Sequence, residues 1–157
     1  MVIGSLRRTS GEHVTVTLED GSEIASTDGV ISELLLLTGK DLDDDTLYRL
    51  QTLSEQALTL EKAASLLSYS RMSSAELRRK LIHRGVEDET ADAVIEKLQD
   101  LRLLDDEEYA FAVARHYTAK GYGAARIRSE LARRGVDRDL WDAAVESAPQ
   151  SDDRIDR

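Results

Sequence analysis

Apolar positions alternate at the start of the chain and then change period. In HVTVTLEDGSEIAS (His13–Ser26), Val14, Val16 and Leu18 share one face of an extended segment, and Asp20-Gly21 supplies a hairpin turn. The preceding VIGSLRR can pair as a further strand. DGVISELLLLTGKDL reads as a short helix ending at Gly39, the usual helix-stopping residue. DLDDDTLYRL then sets carboxylates ahead of a new helical pattern, where they suit the positive end of a helix. Residues 1–42 are therefore expected to form a small β-hairpin-plus-helix module, joined through a connecting helix over 43–54 to an all-helical body.

In that body the helical pattern is written twice. RMSSAELRRKLIHRGV (Arg71–Val86) returns fifty residues later as GYGAARIRSELARRGV (Gly121–Val136). In the first copy Ser73 and Glu76 form a capping box, and Met72 and Leu77 hold the N′ and N4 positions of a hydrophobic staple. Gly85 stops the helix, and Val86 folds back on Leu81 as in a Schellman motif. In the second copy Gly123 is the N-cap, Tyr122 and Ile127 the staple, Gly135 the stop and Val136 the return. EDETADAVIEKL aligns with DRDLWDAAVESA, pairing Asp92 with Asp142 and Ile95 with Val145. Upstream, ALTLEKAASLLSYS aligns with EEYAFAVARHYTAK. The second copy opens at LLDDEEYA, where Asp105 caps, Glu108 sits at N3 and Leu104 can staple Tyr109. The fold class expected is mainly α: two tandem three-helix repeats over 55–102 and 104–148, preceded by the β module. Repeats of this length stack, each burying the face its neighbour exposes. Pro149 and the polar QSDDRIDR end the ordered chain, so 149–157 is expected to be a disordered tail.

Composition narrows the class further. With one Phe and one Trp in 157 residues, Leu and Ala supply most of the packing, which suits helices. The absence of Cys removes any disulfide framework. The apolar run Leu34–Leu37 is far too short to span a bilayer, and no signal peptide opens the chain, so no membrane partner and a cytoplasmic location are expected.

Charge changes the picture more. The net charge of −10 argues against coating DNA by bulk electrostatics, but residues 1–56 hold 4 basic and 11 acidic side chains, whereas 57–148 hold 15 and 17. Clustered cations in the nearly neutral body can still make a local positive face. Arg78 and Arg84 match Arg128 and Arg134 across the repeat. Around them stand Arg79, Lys80 and His83 in the first copy, and Arg126 and Arg133 in the second. Two such stripes suit a periodic, negatively charged partner such as a nucleic acid or a nucleoprotein filament. The same residues also fit a merely solvated face, because Arg and Lys form helices well and favour helix C-termini.

Other chemistry is not written here. LTGKD fails the phosphate-loop pattern, with Leu34 and Asp41 at two required positions. His13, His83 and His116 are scattered without Cys, and DLDDD lacks the Gly and distal Glu of a calcium loop, so no metal is expected. No nucleophile is paired with a general base; neither an enzyme nor a cofactor is expected.

Taken together, SSAELRRKLIHRGV, VIEKLQDLRLLDDEEYA and KGYGAARIRSELARRGV, in that order over about 57–148, resemble the RecX family of RecA regulators. The N-terminal hairpin with GKDL is similar to an extension that some members carry. Members often have Arg where this chain has Ser70, with Arg71 here instead, and many have a third repeat, whereas 21 residues follow Val136 here. The resemblance implies a non-enzymatic protein that binds the RecA–DNA filament and modulates, usually inhibits, its ATPase and strand exchange. It also implies a contact face on the matched helices: Arg78, Arg79, Lys80, Arg84, Arg126, Arg128, Arg133 and Arg134. Two other readings stand beside it: a helix-turn-helix-like protein binding DNA directly, and a helical adaptor for another protein. Carboxylates in EDETADAV weigh against the first, because recognition helices reach bases with Asn, Gln or Arg.

Overall fold

Alternation produces three antiparallel strands in the order β1 (Ile3–Ser10), β2 (His13–Leu18) and β3 (Glu23–Thr27) in the computed structural model, which describes residues 1–148. The register pairs Val16 with Leu6 and with Ile24. Val14, Val16 and Leu18 are all buried, as their spacing predicts, and VIGSLRR supplies the third strand. The expected tail, 149–157, lies outside the described residues.

The described chain divides into two compact units. One is Met1–Lys62 with Glu87–Val94; the other is Ala63–Val86 with the chain from Ile95 onward. In the first, the inner face of the sheet joins Val30, Leu34, Leu36, Leu42 and Leu50 in one apolar core. A buried hydrogen bond of 2.7 Å from Ser54 Oγ to Ser26 Oγ satisfies the two hydroxyls there.

The short helix departs from expectation at its end. α1 spans Asp28–Glu33 and stops well before Gly39. Leu35 takes the left-handed conformation (φ 54°), and Leu36 N–H returns to Ile31 O at 3.0 Å. Burial decides the stop: turning at Leu35 puts both Leu34 and Leu36 into the core and leaves Leu35 and Leu37 outside. Lys40 Nζ donates to the carbonyls of Leu34 and Leu35, at 3.2 and 3.1 Å, covering acceptors that the short helix leaves open. Gly39, with φ 89°, serves instead in a turn that donates to Ile3 O at 2.8 Å. Downstream, Asp43 accepts from Thr46 N–H at 2.7 Å, and Asp44 and Asp45 occupy the first turn of α2, where the helix dipole favours them.

α2 runs unbroken from Asp44 to Tyr69, so the connecting helix and the first helix of the first repeat are one element. No Gly or Pro lies between Gly39 and Gly85 to interrupt it. The fifty-residue offset then holds to the residue. α3 is Ser74–His83 and α6 is Ala124–Arg133; α2 ends at Tyr69 and α5 (Asp106–Ala119) ends at Ala119. Both Schellman turns are present: Val86 N–H reaches Leu81 O and Val136 N–H reaches Leu131 O, each at 3.0 Å, with Gly85 and Gly135 at φ 93° and 74°.

The third helices differ between copies. α4 is a regular helix over Asp88–Asp100, whereas the matching stretch starts as a 3-10 turn, Arg138–Leu140, and becomes α7 only over Trp141–Ser147. Asp137 caps that turn by accepting from Asp139 N–H, and Trp141 Nε1 donates to Val136 O at 2.9 Å. This bond ties the indole back to the turn that precedes the helix. α5, α6 and α7 enclose a core of Tyr109, Ala110, Val113, Ala114, Ile127, Leu131, Val136 and Ala144.

Candidate functional site

Capping chemistry positions α3 before any tertiary contact is made. Ser73 Oγ accepts from Glu76 N–H at 3.1 Å, and Glu76 Oε1 accepts from Ser73 N–H at 3.0 Å, completing the box. A further first-turn amide, Ser74 N–H, donates to Asp106 Oδ1 on α5 at 2.8 Å. At the equivalent helix start in the second copy, Gly123 has no side chain to cap with. In α5 Asp105 caps Glu108 N–H at 3.1 Å, but the Glu108 carboxylate turns to Arg71 at 3.4 Å.

A chain of side-chain bonds runs from the α3 cap into the second copy. Tyr109 Oη donates to Glu76 Oε1 at 2.9 Å and accepts from Arg134 Nη1 at 3.0 Å. Arg134 Nη2 donates to Tyr117 Oη at 3.0 Å and lies 3.6 Å from Glu130. Glu130 in turn takes a two-pronged contact from Arg133, at 2.8 and 3.0 Å. The Arg134 carbonyl accepts from Ser73 Oγ. Burial raises the Tyr109 phenol pKa, with Arg134 pulling it down and Glu76 adding to the rise, so at neutral pH the hydroxyl keeps the proton it donates. Glu130 is pulled down to about 2 by Arg133 first and by the Tyr117 hydroxyl second.

That depressed carboxylate gives the joint an acid limit. In the unfolded chain Glu130 takes up a proton near pH 4.5, while the folded chain resists until about pH 2. Its contribution is complete above the upper value and is lost as pH falls through the lower one. Denaturant melts across pH 5 to 2 are expected to show stability falling with acid, with a shallower fall in Glu130→Gln.

The eight candidate cations do not share one environment. Arg79, Lys80 and Arg84 are exposed, and their side chains make no hydrogen bond or ion pair among the described residues. With Arg78, Ile82 and His83 they line a shallow groove on α3. Arg78 is half-buried. In α6 the matching positions are drawn into contacts. Arg128 pairs with Asp142 at 2.8 Å, Arg133 with Glu130, and Arg134 sits in the tyrosine socket. Arg126 lies 4.4 Å over the Tyr122 ring, which stacks on Tyr117 with centroids 5.3 Å apart. Sequence reasoning placed Arg84 and Arg134 in one role, and the geometry places them in two. The socket residues Tyr117 and Glu130 went unmarked in the sequence, although one signal was there: Lys80 in the first copy becomes Glu130 in the second.

These three-helix units match known family models. The second three-helix domain of RecX matches residues 105–145, and the first matches 60–98, together just over half of the chain. The chain belongs to the RecX family. Curated relatives include regulatory protein RecX of Xanthomonas axonopodis pv. citri (strain 306), 38% identical over 86 residues, and that of Xanthomonas campestris pv. campestris (strain B100), 40% identical over 86 residues. Each match covers 55% of this chain and 53% of the relative, so the chain spans about half the length of the curated relatives it matches. A crystal structure of regulatory protein RecX shares the fold, with TM-score 0.78 over 92% of this chain and 72% of that one at 22% identity. A crystal structure of RecX from Lactobacillus salivarius gives TM-score 0.56 at 25% identity, over 58% of this chain and 60% of that one. On the RecX frame, the open cations of α3 lie in the first three-helix domain, and the tyrosine socket lies in the second. None of the described helices is long and apolar enough to cross a membrane.

Proposed function

We propose that this chain is a non-enzymatic regulator that binds the RecA recombinase–DNA filament and lowers its ATPase and strand-exchange activity. Membership of a family whose curated relatives are named regulatory proteins supports the regulator role. The open basic face of α3 is the single observation that supports a negatively charged partner. Direct reading of duplex bases through α4 is disfavoured, because its first turn presents Asp88 and Glu89, which would oppose phosphates.

The test is the ATPase rate of a RecA recombinase on single-stranded DNA, titrated with this protein. A dose-dependent fall is expected, and Arg79→Glu/Lys80→Glu/Arg84→Glu should relieve most of it. These three positions suit the test because they are exposed and outside the joint. Reversal at Arg128 or Arg134 would mix loss of packing with loss of contact. An unchanged rate in the presence of a demonstrably active filament would sink the proposal.

A further inference from the structure

One position makes the two repeated basic helices unlike. In α6, Glu130 lies one turn before Arg133 and Arg134, at i,i+3 and i,i+4, and pairs with both. In α3 the same position is Lys80, so His83 and Arg84 follow a cation where their counterparts follow a carboxylate. The socket is missing as well: fifty residues before Tyr109 and Tyr117 stand Thr59 and Leu67, neither of which can hold a guanidinium as a phenol does. Arg79, Lys80 and Arg84 therefore make no side-chain bond or ion pair among the described residues, whereas in α6 Arg128 and Arg133 hold carboxylates, Arg126 lies over a ring and Arg134 fastens the second copy to the α3 cap through Tyr109.

We infer that α3 is the element that meets the nucleic-acid strand, through phosphate contacts by Arg79, Lys80 and Arg84, and that the α6 cations make no such contact. This assigns the partner chemistry of the same surface and rests on the filament reading above. Arg79 with His83, and Lys80 with Arg84, form two rows, each spanning four residues or about 6 Å along the helix. Two phosphate steps of one strand advance about 6.8 Å along a duplex axis, so successive cations can follow one backbone. The composition of the groove favours phosphate over a protein surface. Protein interfaces centre on apolar or aromatic anchors, and Ile82, half-buried, is the only apolar residue lining this groove among the described residues. Four of the other five lining residues are Arg or Lys, which suits a salt-sensitive contact with a strand.

Binding to a labelled oligothymidine strand, without recombinase, tests this by fluorescence anisotropy across a salt series, with circular dichroism melts as the folding control. Wild-type protein is expected to bind with affinity falling linearly in log salt. Arg79→Ala/Lys80→Ala/Arg84→Ala should reduce that slope by about 2, three contacts at about 0.7 each on a single strand. Lys80→Glu alone gives α3 the carboxylate that Glu130 supplies in α6 and should weaken binding at least tenfold at low salt. Arg126→Ala/Arg133→Ala should leave the slope unchanged within about 0.5, on the same scale. The inference is overturned if wild-type protein shows no salt-dependent binding, if the α3 triple variant keeps the wild-type slope, or if the α6 pair lowers it equally. Failure here combined with relief of ATPase inhibition by the α3 charge reversals would leave the regulator reading standing and move the α3 contact onto the recombinase.

Discussion

Arg134→Ala is expected to lower folding stability by about 2–4 kcal/mol, whereas Arg84→Ala should change it by no more than about 0.5 kcal/mol. Both residues close the same motif, are followed by Gly-Val, and occupy the C-cap position of their helices. The difference lies in what each side chain touches. Loss of the Arg134 guanidinium strips hydrogen bonds from Tyr109 and Tyr117, removes one partner of Glu130 and leaves a void beneath the rings. Groups left without partners carry the larger share of such a cost. One part of the wild-type arrangement is already unfavourable, since Arg134 Nε is buried with no acceptor among the described residues. That offset is one reason to expect a value well below the upper range for broken buried pairs. Arg84 is exposed and its side chain is unpaired among the described residues, so truncation removes little. Urea denaturation of the two variants measures the contrast, and equal losses would show that the tyrosine socket contributes nothing.

The second large effect is expected at the glycine next to it. Gly85 and Gly135 both adopt positive φ, 93° and 74°, so alanine at either costs about 1–2 kcal/mol from backbone conformation. At Gly85 a Cβ would meet nothing within 4 Å, and that cost is the whole expectation. At Gly135 the Cβ would lie 2.7 Å from Ala75 Cβ, a contact that only movement of α3 or α6 can relieve. Overpacking of this kind adds about 1–3 kcal/mol, so Gly135→Ala should be the more damaging by at least about 1 kcal/mol. Adding Ala75→Gly should recover that extra part while leaving the backbone cost, giving a coupling energy of about 1 kcal/mol or more in a double-mutant cycle. Additive behaviour of the two substitutions would show that the helices are not held this closely. The close approach is also why the Ser73 hydroxyl can reach the Arg134 carbonyl.

The N-terminal module shows how far local signals reach. Alternation at Val14, Val16 and Leu18 gave the strand face, and the carboxylates of DLDDD marked the start of α2. The end of α1 was misplaced because Gly39 is the expected stop signal, whereas the chain turns at Leu35 in order to bury Leu34 and Leu36. Here a core requirement outweighed the conformational preference of a single residue.

What the sequence by itself determined was the sites where the repeated helices begin and end. Ser73, Glu76, Asp105, Gly85 and Gly135 act on backbone groups within a few residues of themselves, so their effect is written locally, and the Gly-Val stops recur at the fifty-residue offset. It also determined the family, since the two three-helix domain models match the sequence over 60–98 and 105–145. Only the tertiary structure decided which of the repeated arginines face solvent. Arg134 is drawn inward by hydroxyls on α5, 17 and 25 residues away, and by one carboxylate that its counterpart lacks. Partners that distant are brought together by packing, and packing, unlike the Gly-Val stops, is not repeated when the words are.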